Sequence, residues 1–284
     1  MAERSRGVVL EQWGELLRLR REVLKTFTTE ASHDLRVSSR RFRAALELFD
    51  PWLPQKHTGR LKKSLREVTR LLGALRNIDE ALLFFNKRTP AQVASGFQLS
   101  YLLTLMRSGE RVRIGKTLKD FDHRHLNRTV QKAANTLREN LLTHNSLPIA
   151  ACFSATDATL SQTITMLLPT AVSPGQHESR HALRIAIKKL RYFLEITAPV
   201  LKRDDSSTLE LFKEYQTILG RMNDVAEFGI LCSGLTLSRR ERMFVETTLH
   251  AEEEHLLKKL AGLIEQKPLI PTAWSHTPQR DTSK

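Results

Sequence analysis

The chain is poor in the devices that stiffen or specialise a small protein. Of 284 residues only Cys152 and Cys232 are cysteine, far apart and without CxxC spacing, so neither a disulfide framework nor a zinc site is expected, and a reducing cytoplasm fits best. Glycine (12) and proline (10) are too few for a low-complexity segment, and aromatics make up only 6%. No stretch alternates polar and apolar residues, which argues against a sheet. No apolar run approaches the roughly 18 residues of a spanning helix. Glu11 and Glu15 follow Val8-Val9-Leu10 too soon for a signal-peptide core, so no membrane partner is expected. A phosphate-cradling Gly-rich loop, HExxH and G-x-S-x-G are all missing. Acids are also short: 31 Asp and Glu against 45 Lys and Arg leave +14, which favours a polyanionic partner without choosing among nucleic acid, polyphosphate and an anionic surface.

What is present is helical periodicity punctuated by proline. The pattern predicts an all-α chain with helices at about 8–30, 33–50, 57–88, 91–108, 110–142, 152–168, 178–201, 206–222, 224–235 and 238–266, then a flexible tail at 267–284. Ser32 is placed to cap the second helix, Pro51 to close it, and Pro199 to end or kink the seventh.

One stretch occurs twice. His33-Asp34-Leu35-Arg36-Val37-Ser38-Ser39-Arg40-Arg41-Phe42-Arg43 is echoed 148 residues later by His181-Ala182-Leu183-Arg184-Ile185-Ala186-Ile187-Lys188-Lys189-Leu190-Arg191. Agreement at a fixed offset indicates an internal duplication. A second pair, Leu72-Gly73-Ala74-Leu75-Arg76-Asn77 and Leu219-Gly220-Arg221-Met222-Asn223-Asp224, follows at an offset of 147. The chain therefore divides into repeats at 1–148 and 149–266, each able to bury a core as an antiparallel helical bundle.

At about 100° per residue, His33, Arg36, Arg40 and Arg43 fall within roughly 80° of one another, as do His181, Arg184, Lys188 and Arg191. Each stripe is about 15 Å long at 1.5 Å per residue. Leu35, Phe42, Leu46 and Phe49, and Leu183, Leu190 and Leu194, lie away from the stripe and are the expected core face. An amphipathic helix with a cationic wet side is usually just a solvated surface. Two features set these apart. Solvated faces intersperse charges of both signs, yet residues 181–191 contain no acid and residues 33–43 only Asp34. A histidine opens both stripes, although solubility gives no reason to prefer it to lysine; it can donate to an anion oxygen and titrates near pH ~6.5.

The duplicated His-x-x-Arg-(Val/Ile)-x-x-(Arg/Lys)-(Arg/Lys)-x-Arg helix, each copy followed by Leu-Gly, resembles the signature of the CHAD domain, the conserved histidine α-helical domain, over about residues 8–266. The resemblance implies two pseudo-symmetric helical bundles whose histidine helices face a shared basic groove or pore that binds inorganic polyphosphate, with possible recruitment to polyphosphate granules. It carries the binding set onto His33, Arg36, Arg40, Arg41 and Arg43 with His181, Arg184, Lys188, Lys189 and Arg191, and Tyr192 matches the aromatic that often closes the second copy. It also implies a Leu-Gly turn after each copy. Where the family usually has Arg-Asp after the first Leu-Gly, this chain has Arg76-Asn77, with Asp79 a nearby substitute for the missing acid. The Glu-x-Glu-x-Lys mark of the tunnel domain sometimes found upstream is absent, so a stand-alone module is expected.

Outside the stripes, Arg66, Arg70 and Arg113 are candidates to extend the groove; the basic run from Arg107 to Arg138 reads equally well as a solvated face. His177/His181 and His250/Glu254 have ligand spacing on a helix but no third ligand, so no metal and no cofactor are expected. Phosphoryl transfer wants carboxylates around a cation, and the conspicuous residues here are donors; the expectation is binding, with no catalytic residues. A nucleic-acid binder would want aromatics among the cations or base-reading side chains, and remains the weaker alternative alongside a metal-dependent polyphosphatase.

Overall fold

The computed structural model describes residues 1–88, 97–143, 149–173 and 175–269, apart from the side chains of residues 55–57. Among these, nine α-helices and one 3₁₀ turn carry the regular structure, with no strand. They are α1 (Ala2–Thr26), α2 (Thr29–Leu48), a turn at Asp50–Trp52, α3 (Gln55–Asn86), α4 (Phe97–Asp120), α5 (His123–Thr143), α6 (Ile149–Ala171), α7 (His177–Leu201), α8 (Ser206–Ser233) and α9 (Arg239–Gln266). None of the described helices is long and apolar enough to cross a membrane.

The boundaries differ from the sequence reading for identifiable reasons. Helix α2 starts a turn earlier, because Thr28, not Ser32, caps it: the Thr28 side chain accepts from the Ala31 amide at 3.1 Å. Ser32 sits one turn in, its hydroxyl donating to the Thr28 carbonyl at 2.9 Å. Pro51 lies in the 3₁₀ turn after α2 has ended at Leu48. Pro199 is held in the last turn of α7, which runs on to Leu201 and stops at Lys202 in the left-handed region (φ 56°). The Leu-Gly segments are not turns. Gly73 is inside α3 and Gly220 inside α8, so the two helices expected at 206–222 and 224–235 are one. An interior glycine costs only about 1 kcal/mol, and burial of Leu219, Met222 and Val225 outweighs it. The break expected at Gly109 falls instead at Phe121-Asp122, where buried Phe121 turns inward and Asp122 Oδ1 accepts from the His125 amide at 3.1 Å. Residues 91–96 of the expected fourth helix lie outside the described residues.

The main hydrophobic core draws on both halves of the chain, from Val8 of α1 to Leu269. Every residue assigned to the core face of the two histidine helices is buried: Leu35, Phe42, Leu46 and Phe49, then Leu183, Leu190 and Leu194. Phe42 packs on Trp13 at 5.6 Å between ring centroids, and Phe49 of the first repeat meets Phe153 of the second at 6.3 Å, which in turn stacks edge-on to Phe193 at 5.9 Å. Burying one such ring stabilises the fold by about 1.5–3 kcal/mol. A smaller cluster of Phe84, Phe85, Phe228 and Val245 ties α3 to α8 and α9. This packing brings α2 against α7, and α3 against α8. The start of the expected tail is fastened: the Lys267 carbonyl accepts from Tyr215 at 2.8 Å, its ammonium pairs with Glu214 at 2.6 Å, and Leu269 is buried. Residues 270–284 lie outside the described residues.

Candidate functional site

Four helices meet around a cleft of about 330 Å³. Helix α2 supplies His33, Arg36 and Arg40; α7 supplies His181, Arg184 and Lys188. The side walls come from Gly73, Arg76 and Asn77 of α3 and from Gly220, Asn223, Asp224 and Glu227 of α8. The first three positions of each stripe therefore converge on one space, because the core faces of α2 and α7 turn the stripes toward each other at the seam between the repeats. Arg40 and Lys188 also line an adjoining recess of about 630 Å³ walled by α2, α6 and α7, which receives Arg43, Lys189 and Tyr192. The Arg40 guanidinium lies 5.8 Å from the Tyr192 ring centroid. Together the two spaces make a basic trough along the seam.

The remaining candidates lie elsewhere. Arg41 faces the opposite side of α2 and pairs with Glu195 of α7 at 2.9 Å. It came from the resemblance and not from the wheel, on which it stands about 100° from Arg40. Arg191 is occupied by Glu195 at 3.3 Å and by the Tyr192 ring at 5.4 Å. Arg66 and Arg70 are exposed on α3 and line neither space; Arg113 is exposed and pairs with Glu110 at 2.7 Å.

Inside the cleft the charges sit uneasily. Arg36 Nε is buried without a hydrogen-bond partner. Burial, reinforced by Arg40, Arg184 and Arg76, pushes the Arg36 guanidinium down to about 10, well below the ordinary arginine range. Arg184 and Arg76 are lowered chiefly by burial, with Asp224 pulling both the other way. His33 is lowered by burial and by Arg76, against which Asp34 acts weakly. Asp224 is the central counter-charge, yet burial still pushes its carboxyl above the usual range despite Arg76, Arg184, Arg221 and Arg36. The seam thus disfavours the charged form of both signs, and its cations are only partly answered.

Other contacts fix orientation. His181 Nδ1 donates to Asn223 Oδ1 at 2.8 Å, which directs Nε2 away from α8. Asn77 Nδ2 donates to Glu227 Oε2 at 3.2 Å, joining the repeats. Arg76 pairs with Glu80. Asp79 does not stand in for the missing family acid at a stripe arginine: it is buried and paired with Arg107 of α4 at 2.5 Å. Sequence reading missed Arg76, Asp224 and Glu227 as cleft residues because it sought the groove on the two histidine stripes and broke α8 between Met222 and Asp224. The signal was there: Gly220, Asn223, Asp224 and Glu227 have i, i+3, i+4, i+7 spacing, one face of a continuous helix. Among the described residues no three His, Cys, Asp or Glu groups come together to hold a metal ion.

Fold and seam define an all-helical bundle built on two histidine-led basic helices that share a cleft. The chain belongs to the CHAD domain family, whose model matches residues 7–231. The fold is similar to the crystal structure of the CHAD domain from the plant Ricinus communis, with 22% identity, a TM-score of 0.67, and coverage of 96% of this chain and 89% of that one. It is also similar to PptA from Streptomyces chartreusis, with 18% identity, a TM-score of 0.67, and coverage of 94% and 98% respectively. At these identities the likeness is one of fold. No curated protein matches the sequence.

Proposed function

We propose that the trough binds inorganic polyphosphate without turning it over. One observation carries this reading: both histidine helices deliver their cations into one cleft where Arg36 Nε has no partner and burial works against every arginine whose shift is resolved there. A chain of phosphates supplies acceptors and negative charge where the protein supplies too few. Arg36, Arg40 and Arg184 suit bidentate engagement of phosphate oxygens. Lys188 adds a point charge, and His181 presents Nε2. The run from the cleft into the adjoining recess suits a polymer rather than a single phosphate, and family membership supports the same ligand class. The carboxylates present, Asp224 and Glu227, are engaged by arginines and by Asn77 and fit a role in spacing the cations.

The test is calorimetric titration of long-chain polyphosphate into the wild type and into Arg36→Glu/Arg184→Glu, with circular dichroism confirming that the variant folds. By analogy with nucleic acid, neutralising about 6–10 phosphates lowers affinity ~10³–10⁵-fold between 50 and 200 mM salt. Flat salt dependence, or a variant that binds as well as wild type, refutes the reading. An oligonucleotide that displaces polyphosphate favours the nucleic-acid alternative. Phosphate release with Mg²⁺ or Mn²⁺ that is abolished by His33→Ala or His181→Ala overturns the non-catalytic assignment.

A further inference from the structure

A cavity of about 720 Å³ lies between α1, α2 and α7 on the side of α2 away from the basic cleft. It is the counterpart of the recess beside α6. Val37, Arg41, Glu195 and Pro199 stand here where Ile185, Lys189, Glu47 and Pro51 stand there, each at the 148-residue offset. The outer wall has changed. In the basic recess α6 contributes Cys152, Thr156 and Leu160; here α1 contributes Glu11, Gln12 and Glu15. With Asp34 and Glu195 the cavity holds four carboxylates against one guanidinium, Arg41. Glu195 is answered by Arg41 and Arg191 and Glu15 by Arg18, whereas Glu11 and Asp34 form no ion pair among the described residues.

A second observation is independent of charge. Ser38 is only 6% exposed, lines this cavity, and its hydroxyl has no hydrogen-bond partner. The fold does not require a hydroxyl there, because the equivalent position is Ala186, also buried. Gln12 Oε1, which can only accept, lines the same cavity and is likewise unpartnered. Two unmet acceptors and two unpaired carboxylates call for a donor that carries positive charge. Val8, Leu19 and Ile196 supply apolar wall between them. From Val8 to Leu19 the cavity follows α1 for about 16 Å, and the acids are spread along it rather than gathered as a metal would need.

We propose that this cavity is a binding site for an aliphatic polyamine, its ammonium groups donating to Glu11, Asp34, Gln12 Oε1 and Ser38 Oγ and its methylenes lying on the apolar wall. Helix α2 then carries a phosphate site on one face and an amine site on the other.

Spermidine is titrated into the full chain without polyphosphate, at constant ionic strength. One saturable site is expected, weakened at least about a hundredfold in Glu11→Gln/Asp34→Asn by loss of two charge-assisted contacts. Ser38→Ala separates binding from architecture: it should weaken spermidine while leaving the melting temperature of the empty chain unchanged or raised. Arg36→Met, on the other face, should leave spermidine affinity within about threefold. No saturable heat, equal affinity in the acid variants, a Ser38→Ala chain that melts lower and binds normally, or displacement by Mg²⁺ at equal charge would each overturn the proposal. Saturable binding of a lysine-rich peptide but not of spermidine would overturn it too.

Discussion

Replacing Arg36 with methionine should make the empty protein more stable and a worse ligand binder. The Arg36 guanidinium is held at about 10, well below the ordinary arginine range, mainly by burial and then by three neighbouring arginines. At neutral pH the side chain is protonated in both folded and unfolded chains, so the whole cost of the buried charge falls on the folded state; it would disappear only above about pH 12. The displacement corresponds to on the order of 3 kcal/mol, or about 1–2 kcal/mol after discounting for the part of the side chain that solvent still screens. Methionine keeps most of the apolar stem and removes the charge. The melting temperature of the ligand-free variant should rise by roughly 2–8 °C, at 2–4 °C per kcal/mol for a chain of this size. Binding should move the other way: losing one charge-assisted contact of about 1.5–3 kcal/mol weakens polyphosphate about 10- to 150-fold. Scanning calorimetry of the empty chain and isothermal titration with polyphosphate read both arms. A variant that melts lower, or binds as the wild type does, refutes the claim that this arginine is held at a cost for a ligand's sake.

Three further outcomes follow from the same geometry. Burial and Arg76 keep His33 below its usual range in the empty cleft, and a phosphate beside it reverses that bias; polyphosphate affinity should therefore rise as the pH falls from about 7.5 to about 5.5, with proton uptake seen in buffers of different ionisation enthalpy, and His33→Gln should flatten the profile. Arg40→Ala should weaken polyphosphate at least about tenfold, whereas Arg41→Ala, one residue on but facing the other cavity, should change it less than about twofold in the same titration. Restoring the family acid with Asn77→Asp sets a carboxylate against Glu227, whose partner Asn77 now is, and should lower stability by about 1–2 kcal/mol in urea unfolding at pH 7, less at pH 4.

The helical class and the burial pattern were legible because they depend on period: Leu35, Phe42 and Leu183 reach the core by spacing alone. The wheel placed His33, Arg36 and Arg40 on one stripe and His181, Arg184 and Lys188 on another, but that the two stripes share a cleft came from the resemblance, since period says nothing of how two helices are set against each other. Element ends were less legible. A cap is a single hydrogen bond, and Thr28 and Ser32 offer the same chemistry one turn apart. The Leu-Gly turns that the resemblance implied at Gly73 and Gly220, and the break expected at Gly109, all fall inside helices, because a glycine's intrinsic cost of about 1 kcal/mol is readily overcome by tertiary packing. Reading α8 as broken near Asn223 hid the single face that carries Gly220, Asn223, Asp224 and Glu227. The parting of Arg41 from Arg40 could not be seen in the signature, which counts positions in sequence; α1 and α6 decide what each flank of the stripe meets.

Glu195 reaches from α7 to Arg41 on α2 while also holding its own neighbour Arg191. That carboxylate is a rivet between the two histidine helices, set on the back of the seam. Opposed rows of like charge pry the front of the seam open, and the rivet resists them. An occupant of the front would act as a second fastening, so that the loaded molecule is clamped on both sides of α2 and α7.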